Sequence, residues 1–456
     1  MTPGRRGGAS AGHIWSYALG RGLLAFVAVA AIGIGASLGT FILLEPSYSI
    51  GTAIRIGAMY LGPFHHIPIV VEGSFDLGAL RLPNLPPSSA TTVEIGVALL
   101  AITGIAVWLL FGAGRSLAER SGGDLGARML AGALVAPGYA APVFLVALIV
   151  EIGRPVELGT LVSGRITLHL SAWQALVFPL VIAAVTGAAG GAVSWLGANE
   201  MRHRVRMISA ALAGGWRMFV LGLLFAFAGL FVAGAVQPDE AVAALTPSTA
   251  RYYRAVFDRP SWGAVILTHH LALSPNEAVW VLAPSSGACD AVAGGPNLDV
   301  LCYGRFPHGL ESIIQPVVGG VPVSGGPDLD LGRAPAGYFL FLLVPALATT
   351  LGGRAAAARA RLKGREAMPI GAAAGVPFAA VAFVSCLLAS VTVTYTSSFV
   401  ERSGGSLWIG PEPLPTTAFA LMWGLAGGAI GAATMGWSIR SRGPRRAEAG
   451  RPTTPR

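Results

Sequence analysis

Long apolar runs separated by polar, often arginine-rich stretches set the pattern of this chain. Eight runs approach the ~20 residues that a helix needs to cross a bilayer: residues 22–44, 93–111, 129–150, 173–195, 218–236, 334–351, 369–391 and 416–439. After the first, third and seventh runs the period changes from helical to two. Ile67, Ile69 and Val71 alternate with other residues, followed by Phe75 and Leu77, then Leu80 and Leu82. Ile166, Leu168 and Leu170 alternate with Arg165, Thr167 and His169. Val391, Val393 and Tyr395 alternate with Thr392, Thr394 and Thr396. Period-two alternation marks half-buried strands, so a weak internal repeat emerges: outward helix, alternating stretch, returning helix, basic turn. These stretches predict a β layer over one end of the helices, with unconnected extended loops as the alternative.

Residues 261–283 do not fit that scheme. The stretch is apolar at both ends and interrupted by His269, His270 and then Ser274-Pro275-Asn276-Glu277. Each apolar arm is too short to span, and backbone freed at a Pro-Asn break must sit inside protein or line a wet cavity. The expectation is a re-entrant helical hairpin, with His269, His270, Ser274, Pro275, Asn276 and Glu277 as candidate pore or cavity lining. A segment lying flat on the membrane and a packed soluble loop are the alternatives.

Composition supports a membrane assignment. Hydrophobic residues make up 54%, charged residues only 12%, and the mean hydropathy is +0.65; a soluble domain carries about twice that charge. The net charge of +9 is unevenly placed. With both termini inside, 21 of the 31 basic residues but only 5 of the 22 acidic ones fall in cytoplasmic segments. That is the positive-inside pattern, with some attraction to anionic headgroups, and no nucleic-acid module accompanies it. If residues 261–283 crossed once, Arg354, Arg359, Arg361, Lys363 and Arg365 would face outward, which the same rule disfavours. The N-terminal run is too long for a signal-peptide core and reads as a retained first helix.

The fold class expected is an all-α integral membrane bundle of about eight transmembrane helices, one re-entrant helical hairpin and a small β-rich extracytoplasmic cap. Four regions follow: residues 1–236 with helices one to five, the excursion 237–333, residues 334–439 with helices six to eight, and a disordered basic tail, 440–456.

Candidate chemistry is sparse. No charged residue lies mid-span; Glu45, Glu94, Arg128, Glu151 and Arg217 sit at helix ends. Proton relays, ion pathways and voltage sensors normally need such residues. His65-His66, His169, His269-His270 and His308, with Glu72 or Asp76, would have to converge to hold zinc, and no ligand spacing such as HExxH or CxxC supports it. No catalytic residue, metal ligand or cofactor is therefore expected. Cys289 and Cys302 lie on the presumed oxidising side, which favours a disulfide closing that loop. Cys386 reads as a small packing residue. Gly35-xxx-Gly39 and Gly187-xxx-Gly191 would let other helix backbones approach.

Leu267-Thr268, Leu271-Ala272-Leu273, Pro275-Asn276 and Val279-Trp280 resemble the signature of an uncharacterised actinobacterial multi-pass membrane family, sometimes labelled cell-division membrane proteins. His66-Ile67-Pro68 and Gly114-Arg115-Ser116-Leu117-Ala118 are similar to that family's N-terminal half. Beyond Trp280 the chain departs from the family's GPGF-like turn, reading Ala283-Pro284-Ser285-Ser286-Gly287. The resemblance implies the bacterial inner membrane, an envelope context and other envelope membrane proteins as partners; it supplies no catalytic residues. The functional expectation is a non-enzymatic envelope or division component. The alternatives are a transporter or channel for an uncharged or amphiphilic solute and, distantly, an extracytoplasmic metalloenzyme.

Overall fold

The computed structural model describes residues 11–44, 48–76, 88–158, 162–236, 260–293, 298–301, 306–307, 331–332, 336–398 and 403–436. The first half contains α1 (Ala11–Leu44), α2 (Ile50–Met59), α3 (Leu61–His65), β1 (Ile69–Asp76), β2 (Ser88–Gly96), α4 (Leu100–Ser121), α5 (Leu125–Ala133), α6 (Ala136–Ile149), β3 (Glu151–Leu158), β4 (Val162–Leu170) and α7 (Ala172–Ala198). The second half contains α8 (His203–Val236), α9 (Pro260–Ser286), β5 (Asp290–Ala293), β6 (Leu298–Leu301), β7 (Phe306–Pro307), β8 (Leu331–Gly332), α10 (Leu343–Ala360), α11 (Met368–Ala373), α12 (Gly375–Ala389), β9 (Val391–Ser397), β10 (Ser403–Pro411) and α13 (Pro413–Ala433).

Among the described residues, eight spans are long and apolar enough to cross a membrane: Gly12–Leu44, Leu100–Ser121, Leu125–Ile149, Ala172–Ala198, His203–Gly229, Phe339–Ala360, Gly364–Ala389 and Pro413–Ala433. Many of their large apolar side chains point outward. Leu24, Trp108, Ile149 and Trp173 are all more than 60% exposed, an arrangement stable in lipid and costly in water. This is a multi-pass membrane protein whose helices contact the bilayer.

The inner faces of the spans are built from small residues, so backbones touch. A Cβ added at Gly187 would collide with the Gly132 carbonyl, and Gly114 packs directly on the backbone of Gly187. The second half repeats this trio: Gly428 lies against the Gly371 carbonyl, and Gly353 against the backbone of Gly428. Such contacts hold helices together where lipid removes most of the hydrophobic drive. Gly191 is also used, packing on the Arg128 carbonyl. Gly35 and Gly39 are not, since a Cβ at either position meets nothing within 4 Å.

Each of the three predicted alternating stretches contains a strand, though Leu77, Leu80 and Leu82 lie outside the described residues, and the three strands belong to one sheet. Its order is β3-β4-β1-β2-β9-β10-β5-β6, with every neighbouring pair antiparallel. Six long strands form its body and the short β5 and β6 continue one edge. The expected cap is therefore larger than a few strands resting on a bundle, and residues 93–96 belong to β2 rather than to the second crossing. Because a strand pair follows every odd-numbered span, the sheet covers one end of the bundle and the arginine-rich turns occupy the other.

The molecule is two copies of one plan. In each, four spans alternate with two strand pairs, and the fourth span packs on the second and third. The fifth span, α8, packs on α10 and α12 and so belongs with the later helices. The junctions agree residue by residue. His66 and Gly287, both with positive φ, end the helical segments before β1 and β5. Ile67 N–H donates to Gly62 O at 2.9 Å and Ala288 N–H to Ala283 O at 3.1 Å. Ser171 N–H donates to Pro68 O at 3.1 Å, as Glu412 N–H does to Cys289 O at 3.0 Å. Each copy has an even number of spans, so the two stand the same way up in the membrane.

The structure overturns the re-entrant hairpin. Residues 260–286 form one helix, α9, which runs through Pro275 and Pro284 without a break. Proline removes one backbone hydrogen bond and crowds the preceding turn, but helices packed on both sides tolerate it; Pro142 and Pro179 likewise lie inside α6 and α7. Asn276, read as half of the break, turns its amide away from its own helix and so offers that backbone no competing turn.

Candidate functional site

The C-terminal part of α9 lies between the two halves, touching α1 and α4 on one side and α8, α10, α12 and α13 on the other. Asn276 makes the central contact. It is 6% exposed, its Nδ2 donates to Ala98 O at 2.6 Å, and its Oδ1 accepts from Leu100 N–H at 2.9 Å. Leu100 opens α4, whose first N–H groups have no partner within the helix. Asn276 thus caps a helix of the other half while its own backbone stays helical. Trp280 Nε1 donates to Ala389 O at 2.9 Å, fixing the same helix to the end of α12.

The other expected lining residues do not gather around a path. Ser274, Pro275 and Glu277 are half-buried on α9. His269 and His270 lie on the same helix, with side chains outside the described residues. Cys289 directly precedes β5, and the expected partner Cys302 lies outside the described residues.

His65 and Tyr139 are the polar pair that sequence reasoning passed over. Both are almost completely buried. His65 Nδ1–H donates to Leu61 O at 2.7 Å, which leaves Nε2 to accept the Tyr139 hydroxyl at 2.6 Å. Burial pushes the His65 imidazole down to about 4, so it is neutral at physiological pH. The two residues stand 74 positions apart, and nothing local marks them as partners. His66 packs on Phe178 with ring centroids 6.3 Å apart, and His169 lies on β4 opposite Glu151. Among the described residues no three of His, Cys, Asp and Glu converge to hold a metal.

The corresponding place in the second half is outfitted differently. Where the first half has Tyr139 bonded to His65, the second has Phe378 and the small Ser286, and a small cavity opens there with room for about one water-sized sphere. Leu282, Phe378, Ser286, Cys386 and Thr416 are among its walls. Ser286 Oγ donates to Ala283 O at 2.7 Å, and Trp423 Nε1 donates to Ser286 O at 3.0 Å. Ser390 Oγ donates to Cys386 O at 2.7 Å.

Two further polar groups are buried near Cys386. Thr416, in the first turn of α13, is 3% exposed and its hydroxyl is hydrogen-bonded with the Cys386 thiol. Asp290, the first residue of β5, is 8% exposed and neither carboxyl oxygen is bonded. Burial, with the charge of Glu412 adding to it, holds this carboxyl well above the usual carboxylate range. The first half places Ile69 at the start of β1, where Asp290 starts β5. The absence of charge from the middle of the spans is thus compatible with a buried acid at their sheet end. Asp290 sits among alanine, glycine and cysteine without periodic signal, and only the fold brings it against α12 and α13. Comparison of the chain with protein-family models, with curated proteins and with solved structures finds no match.

Proposed function

We propose that this chain is a non-enzymatic component of the bacterial cell envelope, a membrane-anchored platform that presents its sheet on the outer side for wall assembly or division. Both termini lie in the cytoplasm in this reading, as the arginine-rich turns at the end opposite the sheet favour. The observation that carries it is the β2–β9 ladder, which runs from Thr91↔Ser397 to Gly96↔Thr392 across the boundary between the halves. A carrier built from two repeats works by rocking one against the other, and a shared sheet opposes that motion. The Asn276 bonds add a second lock at the same boundary, using up the side chain best placed to line a path. The resemblance of residues 267–280 to an actinobacterial family with a division label agrees with this context.

Two measurements test the proposal together. Cells lacking the protein should show altered septation or wall synthesis that the full chain restores. Proteoliposomes carrying it should swell in glycerol or sugars no faster than empty vesicles. Solute entry above the empty-vesicle rate would displace the platform in favour of a transporter.

A further inference from the structure

We propose that Arg21 and Arg120, gathered around Tyr17 at the end of the bundle opposite the sheet, bind the phosphate of an anionic phospholipid. The inference does not rest on the platform reading and would hold for a transporter as well.

The site is built on α1 and α4. Tyr17 Oη lies 3.1 Å from Ser116 Oγ, a hydrogen bond that ties the two helices together. Arg21 Nε donates to Tyr17 Oη at 2.8 Å, and the Arg120 guanidinium lies over the Tyr17 ring, 4.0 Å from its centroid. The Arg21 guanidinium is 5.1 Å from the same centroid. One ring thus holds two cations, a contact that aromatic faces favour. Both arginines are exposed, and neither pairs with a carboxylate among the described residues. The first acidic residue of the chain is Glu45, which follows the far end of α1. Nearer acids are engaged elsewhere: Glu119 pairs with Arg115 at 2.9 Å, and Asp124 caps α5.

Depth selects a lipid as the source of the phosphate. α1 has 34 residues, about 50 Å of helix against a hydrocarbon core of about 30 Å. Its first turns therefore stand among headgroups, and Arg120 joins them from the last turn of α4. Trp15, 46% exposed, suits that interface. One turn deeper on the same face of α1, Leu24 is 63% exposed. On α4, a Cβ added at Gly112 would meet nothing within 4 Å, so an acyl chain has room to run down from the arginines. The comparison within the molecule argues against a merely solvated pair. Gly114 on Gly187 matches Gly353 on Gly428, and counting equally from those glycines sets Arg359 where Arg120 stands. Arg359 pairs with Glu200 at 3.3 Å and donates to Ser209 Oγ at 3.1 Å. The second half thus neutralises its arginine internally, whereas the first leaves two guanidinium forks whose geometry suits phosphate. An anionic headgroup is favoured because it brings no ammonium of its own against them.

The test is thermal unfolding of the purified full chain in a nonionic detergent, with phosphatidylglycerol, phosphatidylcholine or inorganic phosphate added. A ligand that binds only the folded state raises Tm progressively with its concentration. Phosphatidylglycerol should do so in the native protein, and the other two should not. Arg21→Gln and Arg120→Gln should each move the phosphatidylglycerol midpoint to about fivefold higher lipid. Arg359→Gln removes an arginine already paired and should leave that midpoint in place. Should one of the first two variants fail to fold, native mass spectrometry of the other decides, with less phosphatidylglycerol retained than by the native chain. Equal responses to the two lipids overturn the site. So does a response unchanged in Arg21→Gln and Arg120→Gln, or an equal shift in Arg359→Gln. A rise in inorganic phosphate matching that in lipid would assign the arginines to a soluble anion and overturn it as well.

Discussion

At the scale of single residues, side chains that look alike in sequence are put to opposite uses. His65 and His66 are adjacent, yet only His65 turns inward to accept the Tyr139 hydroxyl. Tyr139→Phe leaves Nε2 buried without a donor, at a cost of about 1–3 kcal/mol, to be read as a lowered unfolding midpoint in detergent. The pH dependence has a definite sign. The folded imidazole titrates at about 4 against 6.5 for the free group, so an unfolded chain takes up the proton first. Stability from this residue is complete above pH 6.5 and is lost as pH falls toward 4. Tm measured across that window should drop, and the drop should be smaller in His65→Gln; an identical profile in both would remove His65 from the account. None of this was legible in the sequence, because a buried histidine and a loop histidine share the same local pattern.

At the scale of elements, what sequence reveals is periodicity and what it hides is partnership. Apolar length alone located the eight crossings, and alternation located β1, β4 and β9. Their neighbours were hidden for physical reasons. The end of β2, Val93–Gly96, runs into the apolar start of α4, β3 contains Pro155, and β10 carries Gly404, Gly405 and Gly410. In α9 the Pro275-Asn276 pair mimics a break, because the bonds that make it unnecessary come from the far side of the interface. Asn276→Ala should destabilise the fold by about 2 kcal/mol or more, since it strips a buried N–H and a buried carbonyl of their partners. Asn276→Asp should do worse, keeping the acceptor for Leu100 N–H but setting a carboxylate oxygen against Ala98 O. Unfolding midpoints in the order native, Ala, Asp express that reading, and equal midpoints reject it. Close helix contacts are similarly sensitive. Gly187→Ala and Gly428→Ala each drive a methyl into a neighbouring backbone, where overpacking costs about 1–3 kcal/mol; Gly35→Ala, facing open space, should be neutral.

At the scale of the whole molecule, two four-span repeats are joined less by helix packing than by one sheet and one helix. The fifth span follows the fourth after a short turn, yet the two make little contact along their length. The boundary is carried instead by β2 on β9 and by α9. This makes one continuous layer over the ends of two bundles, and the proposed platform role rests on its stiffness. The most direct measurement is a disulfide across the β2–β9 boundary. Thr92 and Thr396 are partners in the register, so Thr92→Cys with Thr396→Cys, in a chain carrying a protease site in the turn before α8, should stay in one piece after cleavage until reductant is added. The offset pair Thr92→Cys with Thr394→Cys should fall apart. Separation of the halves with the in-register pair, or equal linkage with both, would contradict the shared sheet on which the platform depends.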